Sequence, residues 1–557
     1  MAAPSTRTTS SAPSFPSAFL LSWGQRVGVT LLGLAGLTIV FYLESVHGFP
    51  GMPDKATAIL EGQAMTRGNL LLHGWTLPVS SYWSTDAALS ALLIPFVGLH
   101  GVLMQLQPAV MTALFVGAGA LAATRETRGR QAAIAAVVTL VALTVFAAPM
   151  MEFYLTAGAY HVGTALLALL GFVALRRAKF DIGWVAAVVV LAIGALGDLE
   201  MIAYGVLPVA VAGVVSMIRE RSLRAGTPLV AAGAGSIALL VLLQAAKIAL
   251  GGFQWSPTHG AVPLGHLAGS FKNMLAVYAD FLGGSRSWGG YEIPLAGQWW
   301  HLLGALAVTA SLLSGVYWLI RRMVFGTGSA STSPDPRILD DLLVLGVLGA
   351  ACSFMLEATL GLRDARYMTV SLLFASVLTA RVVAQLLPRL ASSGRRVVIG
   401  VAGVALLGLA GTLGLQLSHA DSYQTESRLV VWLEAHHLRR GIAGYWPASI
   451  VTVDSQGSVA VRPVLDSHRK IVPMQDEADS AWYEGSFQFL LVDSPGSRRG
   501  INETTASASF GPPSHVYHFG TWEILTWDHG VRVGYPPLLR HWAEPGQTGA
   551  ARRTGTR

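Results

Sequence analysis

Residues Arg26–Ala56 read RVGVTLLGLAGLTIVFYLESVHGFPGMPDKA. From Val27 to Val46 the run is apolar and about 20 residues long, which is enough to cross a hydrocarbon core of ~30 Å. Gly51-Met52-Pro53 follow closely, and then a carboxylate, Asp54. A charge so near the hydrocarbon boundary is costly unless it is paired or used. This pattern of a span, a short loop and an acid sets the reading of the rest of the chain.

Similar apolar stretches recur at Val102–Ala123, Ala132–Ala148, Val162–Leu175, Ile182–Leu196, Met201–Ile218, Leu229–Ala249, Trp299–Ile320, Leu339–Leu360, Tyr367–Leu386 and Val397–Leu417, predicting about eleven spans in all. The composition agrees. Of 557 residues 52% are hydrophobic and only 12% charged, and so few charges could not cover a soluble globule of this size. Thr85–Gly98 is apolar but short for a span, and is read as an interfacial helix in the first loop. Counted this way, five successive loops each carry three basic residues: Arg125, Arg128, Arg130; Arg176, Arg177, Lys179; Arg219, Arg221, Arg224; Arg321, Arg322, Arg337; and Arg389, Arg395, Arg396. The intervening loops carry far fewer. The positive-inside rule then puts the amino end in the cytoplasm and the carboxyl end outside the inner membrane.

The net charge of +7 therefore reports orientation, and no nucleic-acid partner is expected. Cys352 is the single cysteine, so neither an intrachain disulfide nor a cysteine zinc cluster can form. Only five of the 38 basic residues are lysine, a bias that suggests a GC-rich bacterial source. Four regions are expected: a disordered cytoplasmic tail at 1–25, a transmembrane domain at 26–418, an extracytoplasmic α/β domain at 419–540, and a disordered tail at 541–557. In the α/β domain, Glu426–Arg439 has helical periodicity, while Ser449–Val453, Val459–Val464, Phe487–Val492 and Trp522–Trp527 read as strands.

Besides Asp54, the predicted outer face collects Glu152, Asp198, Glu200, Asp280, Glu292 and Asp364. Each alone could be a solvated anchor; together they point to a site. Asp198-Leu199-Glu200 is either a hydrophilic turn or, with a substrate phosphate, a divalent-cation site. Arg363 and Arg366 stand on this face against the positive-inside trend, beside Tyr367. Guanidinium groups bind phosphate through parallel hydrogen bonds, so the pair suits a lipid phosphate; an ion pair with Asp364 is the alternative. His161 opens a span on the same side and is either a satisfied polar group or a substrate contact.

Taken together, this layout resembles the GT-C superfamily of membrane glycosyltransferases, which includes the protein O-mannosyltransferases and lipid A aminoarabinose transferases. The likeness rests on Pro53-Asp54-Lys55-Ala56, on Arg67-Gly68-Asn69-Leu70-Leu71-Leu72-His73-Gly74-Trp75, and on His161-Val162-Gly163-Thr164. The Asp198 turn leading to Pro208 and Ala443-Gly444-Tyr445-Trp446 add to it. The resemblance implies sugar transfer with inversion from a polyprenyl-phosphate donor in the bilayer to a glycan, lipid or protein acceptor, with Asp54 as general base. It also implies binding roles for Lys55, Glu152, His161, Asp198, Glu200, Arg363, Arg366 and Tyr367, with Lys55 on the lipid phosphate. Asp54-Lys55 stands where many relatives have Asp-Glu or Asp-X-Asp, which leaves use of a divalent cation open. A transporter or flippase of lipid-linked saccharides is the competing reading; its charges should line a route through the membrane midplane. A non-catalytic envelope scaffold would need no cavity joining Asp54 to Arg366.

Overall fold

The computed structural model describes residues 23–48, 51–127, 129–144, 149–158, 160–256, 262–284, 287–288, 291–292, 295–325, 338–357, 362–416, 424–492 and 501–534. The two expected terminal tails lie outside these residues, except that the first helix already begins at Trp23.

Over the described residues, each predicted span falls mainly on a helix. Among the described residues, seven are long and apolar enough to cross a membrane: Val27–His47, Leu103–Thr124, Ile202–Glu220, Leu223–Ala249, His301–Arg321, Ile338–Leu356 and Ala365–Arg389. Arg130–Thr144, Val162–Leu175 and Ile182–Gly197 are apolar but shorter. The expected interfacial segment is a π-helical turn, Trp83–Ala87, running into the helix Ala88–Val97. It stops at Gly98, whose φ of +77° suits glycine.

Close backbone contacts tie the first loop to the bundle. A Cβ on Gly62 would lie 2.6 Å from Ser90 Cβ, so glycine lets the helix Pro53–Thr66 press against Ala88–Val97. A Cβ on Gly197 would meet Ser84 Oγ at 2.3 Å. The Gly197 carbonyl instead accepts from Tyr82 N at 2.8 Å and Ser81 Oγ at 3.0 Å, which pins the first loop to the end of Ile182–Gly197.

The polar region is built on a six-stranded mixed sheet in the spatial order His515–Phe519, Trp522–Val531, Phe487–Val492, Arg440–Ala443, Ala460–Ser467, Lys470–Pro473. Arg440–Ala443 runs parallel to both of its neighbours. One expectation is corrected here: Ser449–Val453 is helical, within Tyr445–Asp454. Its β-branched residues favour a strand in isolation. The segment is buried throughout, however, between the sheet and the helix Pro53–Thr66, and this packing overrides local preference. The predicted helix is Gln424–Ala435. The other three predicted strands are present.

The polar region is sewn to the membrane region. Ala478–Asp479 pairs antiparallel with Trp75–Leu77 of the first loop, which pairs parallel with Gln254–Trp255. Thr57 Oγ1 donates to Ser449 Oγ at 3.1 Å, and Trp75 meets Trp482 edge to face at 4.8 Å.

Candidate active site

The site lies where three elements meet, each bringing a charge or a hydroxyl. Pro53 opens its helix at a position that needs no amide hydrogen, and Asp54 stands in the first turn, where the helix dipole favours an anion. Arg366 and Tyr367 come from the 3-10 segment Leu362–Met368 that leads into the helix Thr369–Leu386. Tyr445 begins a helix of the polar region behind Gly444.

Arg366 Nη1 lies 3.7 Å from Asp54 Oδ2, and its guanidinium stands 5.2 Å from the centre of the Tyr367 ring. Arg366 Nε has no hydrogen-bond partner among the described residues. The Tyr445 hydroxyl reaches both Asp54 Oδ1 and Glu477 Oε2, the latter at 2.5 Å. Burial, and then the charge of Asp54, push the Glu477 carboxyl up to about 8. Glu477 also has a left-handed backbone, with φ of +55°, a conformation that costs a non-glycine residue about 1 kcal/mol or more.

Asp54, Arg366, Tyr367 and Glu477 line a cavity of about 730 Å³ together with Glu61, Tyr82 and Glu200, and Tyr445 backs Asp54 and Glu477 from outside that lining. Glu61 is 2% exposed and its Oε2 has no partner among the described residues. Burial, then the nearby acidic side chains of Glu477 and Asp86, push it well above the usual carboxyl range. Glu200 accepts from Ser353 Oγ. Two membrane helices give the cavity a mostly apolar wall of Leu207, Val211, Leu345, Leu348 and Leu356, with Glu357 lining it just beyond Leu356.

Behind the cavity stands a closed polar network centred on Asp198, which is fully buried. Oδ1 accepts from Ser80 Oγ at 3.0 Å and Glu200 N at 3.2 Å; Oδ2 accepts from the Tyr204 hydroxyl at 2.8 Å and faces His161 Nδ1 at 2.7 Å. His161 Nε2 lies 3.2 Å from the Tyr82 hydroxyl. Burial acts to raise Asp198, but the charge and hydrogen bonds of His161 and Tyr204 outweigh it and hold the carboxyl below its usual range. Donors occupy both oxygens, so the Asp198–Glu200 pair does not fit a divalent cation. No metal-binding group of His, Cys, Asp and Glu occurs among the described residues.

The structure thus brings Asp54, Glu200, Arg366 and Tyr367 together at one cavity, and places His161 and Asp198 directly behind it. Lys55 and Glu152 do not line the cavity. Lys55 is 1% exposed, with Nζ 3.5 Å from Ser45 Oγ, and burial lowers it to about 7. Glu152 is buried on the helix Pro149–Thr156. The side chain of Arg363 lies outside the described residues, as do those of Asp364 and Glu292. Sequence reading missed Glu61, Tyr82, Tyr204 and Glu477, and took Tyr445 only as part of a motif. Glu61 did carry a signal: Asp54, Thr57, Ala58 and Glu61 follow a helical i, i+3, i+4, i+7 spacing, and all four face the cavity.

No protein-family model matches the sequence, and no curated protein matches it either. Solved structures do. The crystal structure of ArnT from Cupriavidus metallidurans bound to undecaprenyl phosphate superposes with a TM-score of 0.53 and 13% identity, covering 90% of this chain and 98% of that one. Its apo state gives 0.52 and 12% over the same shares. The archaeal oligosaccharyltransferase AglB from Archaeoglobus fulgidus, in complex with an inhibitory peptide and a dolichol-phosphate, gives a TM-score of 0.45 at 12% identity, covering 92% of this chain and 76% of that one. Nearly the whole length of ArnT is therefore matched, and this chain shares the ArnT fold.

Proposed function

We propose that the protein transfers a sugar, with inversion, from a polyprenyl-phosphate donor to an acceptor hydroxyl at the outer face of the cytoplasmic membrane. One observation carries this reading: Asp54 and Arg366 share a cavity whose far wall is mostly apolar and built from membrane helices. A polyprenyl-phosphate sugar has this same polarity, a charged and hydroxylated head on a hydrocarbon tail. ArnT, of the same fold, has been crystallised with undecaprenyl phosphate. The outward orientation rests on the five basic loops of the opposite side.

The donor is already activated, so the protein must orient an acceptor and remove its proton. The acceptor oxygen attacks the anomeric carbon, the bond from that carbon to the phosphate oxygen breaks, and its electron pair leaves with the phosphate. The acceptor proton passes to Asp54. Arg366, whose side chain is partly exposed at the cavity, is placed to bind the phosphate as its charge grows. Tyr367 gives the guanidinium an aromatic face to rest on.

Membranes carrying the wild type or Asp54→Asn, incubated with a panel of radiolabelled polyprenyl-phosphate sugars, test the proposal. Label should reach an acceptor with at least one donor in the wild type only. Equal transfer by a correctly inserted Asp54→Asn protein removes Asp54 from the role of base. No transfer from any donor removes the reaction.

A further inference from the structure

The Tyr445 hydroxyl carries one hydrogen, yet two carboxyl groups lie within hydrogen-bond reach of its oxygen, Asp54 Oδ1 and Glu477 Oε2. One hydrogen cannot make two strong bonds at once. One of the carboxyls must therefore be a carboxylic acid that donates to the tyrosine oxygen, while the tyrosine donates to the other. The surroundings decide between them. Asp54 faces the Arg366 guanidinium through Oδ2, which favours a carboxylate. Glu477 faces Asp54, lies beside Asp476 and near Glu61, and feels Arg366 less than it feels Asp54. Tyr160 and Tyr82 bring no positive charge, and both sense Asp54 themselves.

We infer that Glu477 stands as a carboxylic acid donating to Tyr445, which in turn donates to the Asp54 carboxylate, so that the polar domain aims the base of the membrane domain. This inference rests on the proposed sugar transfer for its kinetic meaning. The high titration point of Glu477, at about 8, agrees with it. The chain has a direction. Tyr445 occupies Asp54 Oδ1, which leaves Oδ2 to take the proton of the acceptor once the lipid phosphate draws Arg366 away. Tyr445 and Glu477 are thus positioning residues. When Glu477 ionises, Tyr445 has two anions to serve with one hydrogen, and its hold on Asp54 weakens.

The test compares Glu477→Gln, Tyr445→Phe and wild type, as full-length protein in detergent or membranes, by kcat and KM for the lipid donor across pH. A glutamine amide donates to the Tyr445 oxygen as an acid would and cannot ionise. Glu477→Gln should therefore retain most of kcat near neutral pH and lack the alkaline fall expected of the wild type near pH 8. Tyr445→Phe should lower kcat about ten- to a hundredfold, the worth of a hydrogen bond to a charged group, with little change in KM. A Glu477→Gln profile that overlays the wild type, or a Tyr445→Phe enzyme with unaltered kcat, overturns the inference.

A second readout does not depend on sugar transfer. The infrared difference between wild type and Glu477→Gln at neutral pH should show a protonated-carboxyl carbonyl band, fading as the pH passes about 8. A missing band overturns the inference whatever the activity. A band in a protein that transfers no sugar supports the proton arrangement while refuting the proposed reaction.

Discussion

Arg366 and Arg381 stand toward opposite ends of one membrane helix, fifteen positions and roughly 22 Å apart along its axis. Each is held in a different way. Arg381 Nε pairs with Asp340, Nη1 donates to the carbonyls of Ala122 and Arg125 at 3.0 and 3.1 Å, and Nη2 meets Glu126 at 3.1 Å. Its side chain is 3% exposed. Arg366 is 34% exposed, reaches Asp54 only at 3.7 Å, and leaves Nε without a partner. Arg381 is consumed by the fold, whereas Arg366 is held in reserve beside a cavity. A buried charge by itself says little about function; a guanidinium that stays partly exposed at the edge of a cavity says more.

Breaking the acid of this pair should have the largest effect. Asp54→Asn should lower transfer by about a thousandfold or more, at the upper part of the range for general-base loss, with normal membrane insertion. Arg366→Met should cost about a hundred- to a thousandfold in kcat/KM, the scale of a lost anion-stabilising donor, and leave the melting temperature of the detergent-solubilised protein unchanged or higher. Arg381→Met should do the reverse, destabilising the protein by ~3–5 kcal/mol through the carboxylates it strands, while the folded fraction keeps its turnover. If Arg381→Met spares the melting temperature, or Arg366→Met lowers it as far, the contrast between the two ends fails.

Two smaller effects sharpen the contrast. Tyr204→Phe removes one donor from buried Asp198 and should cost about 1–3 kcal/mol in a denaturation assay, with a modest fall in activity. Glu477 should leave a mark on pH stability. Its carboxyl titrates higher in the folded chain than in the unfolded one, so its favourable contribution is complete below the ordinary carboxyl range and is lost as pH climbs to about 8. Between those values the melting temperature of the wild type should fall more steeply than that of Glu477→Gln.

Much of the fold was legible because lipid imposes a simple rule: long apolar runs become helices that satisfy their own backbone. Asp54 and Arg366 were legible for a related reason, since a charge at the membrane boundary needs a partner or a use. Their meeting across three hundred positions came from family likeness and not from spacing. Lys55 misled for a reason the helix makes plain. Its side chain projects about 100° around the axis from that of Asp54, so one residue faces the cavity and the next faces Ser45. Glu477 gave no signal at all, because an acid in a polar loop is ordinary until the loop is folded against Tyr445. Ser449–Val453 misled because a β-branched run states a preference that burial on all sides can overrule.

The short strand Ala478–Asp479, joined to Trp75–Leu77 and through it to Gln254–Trp255, fastens the two halves of the chain directly beside Glu477. A chimera that transplants the polar half of a distant relative would have to reproduce this seam in register as well as the six-stranded sheet. A slip of one residue would turn every side chain of the seam to its other face and carry the neighbouring acid with it. Compatibility between halves is therefore decided at a few backbone hydrogen bonds, far from the surfaces that domain-swapping experiments ordinarily preserve.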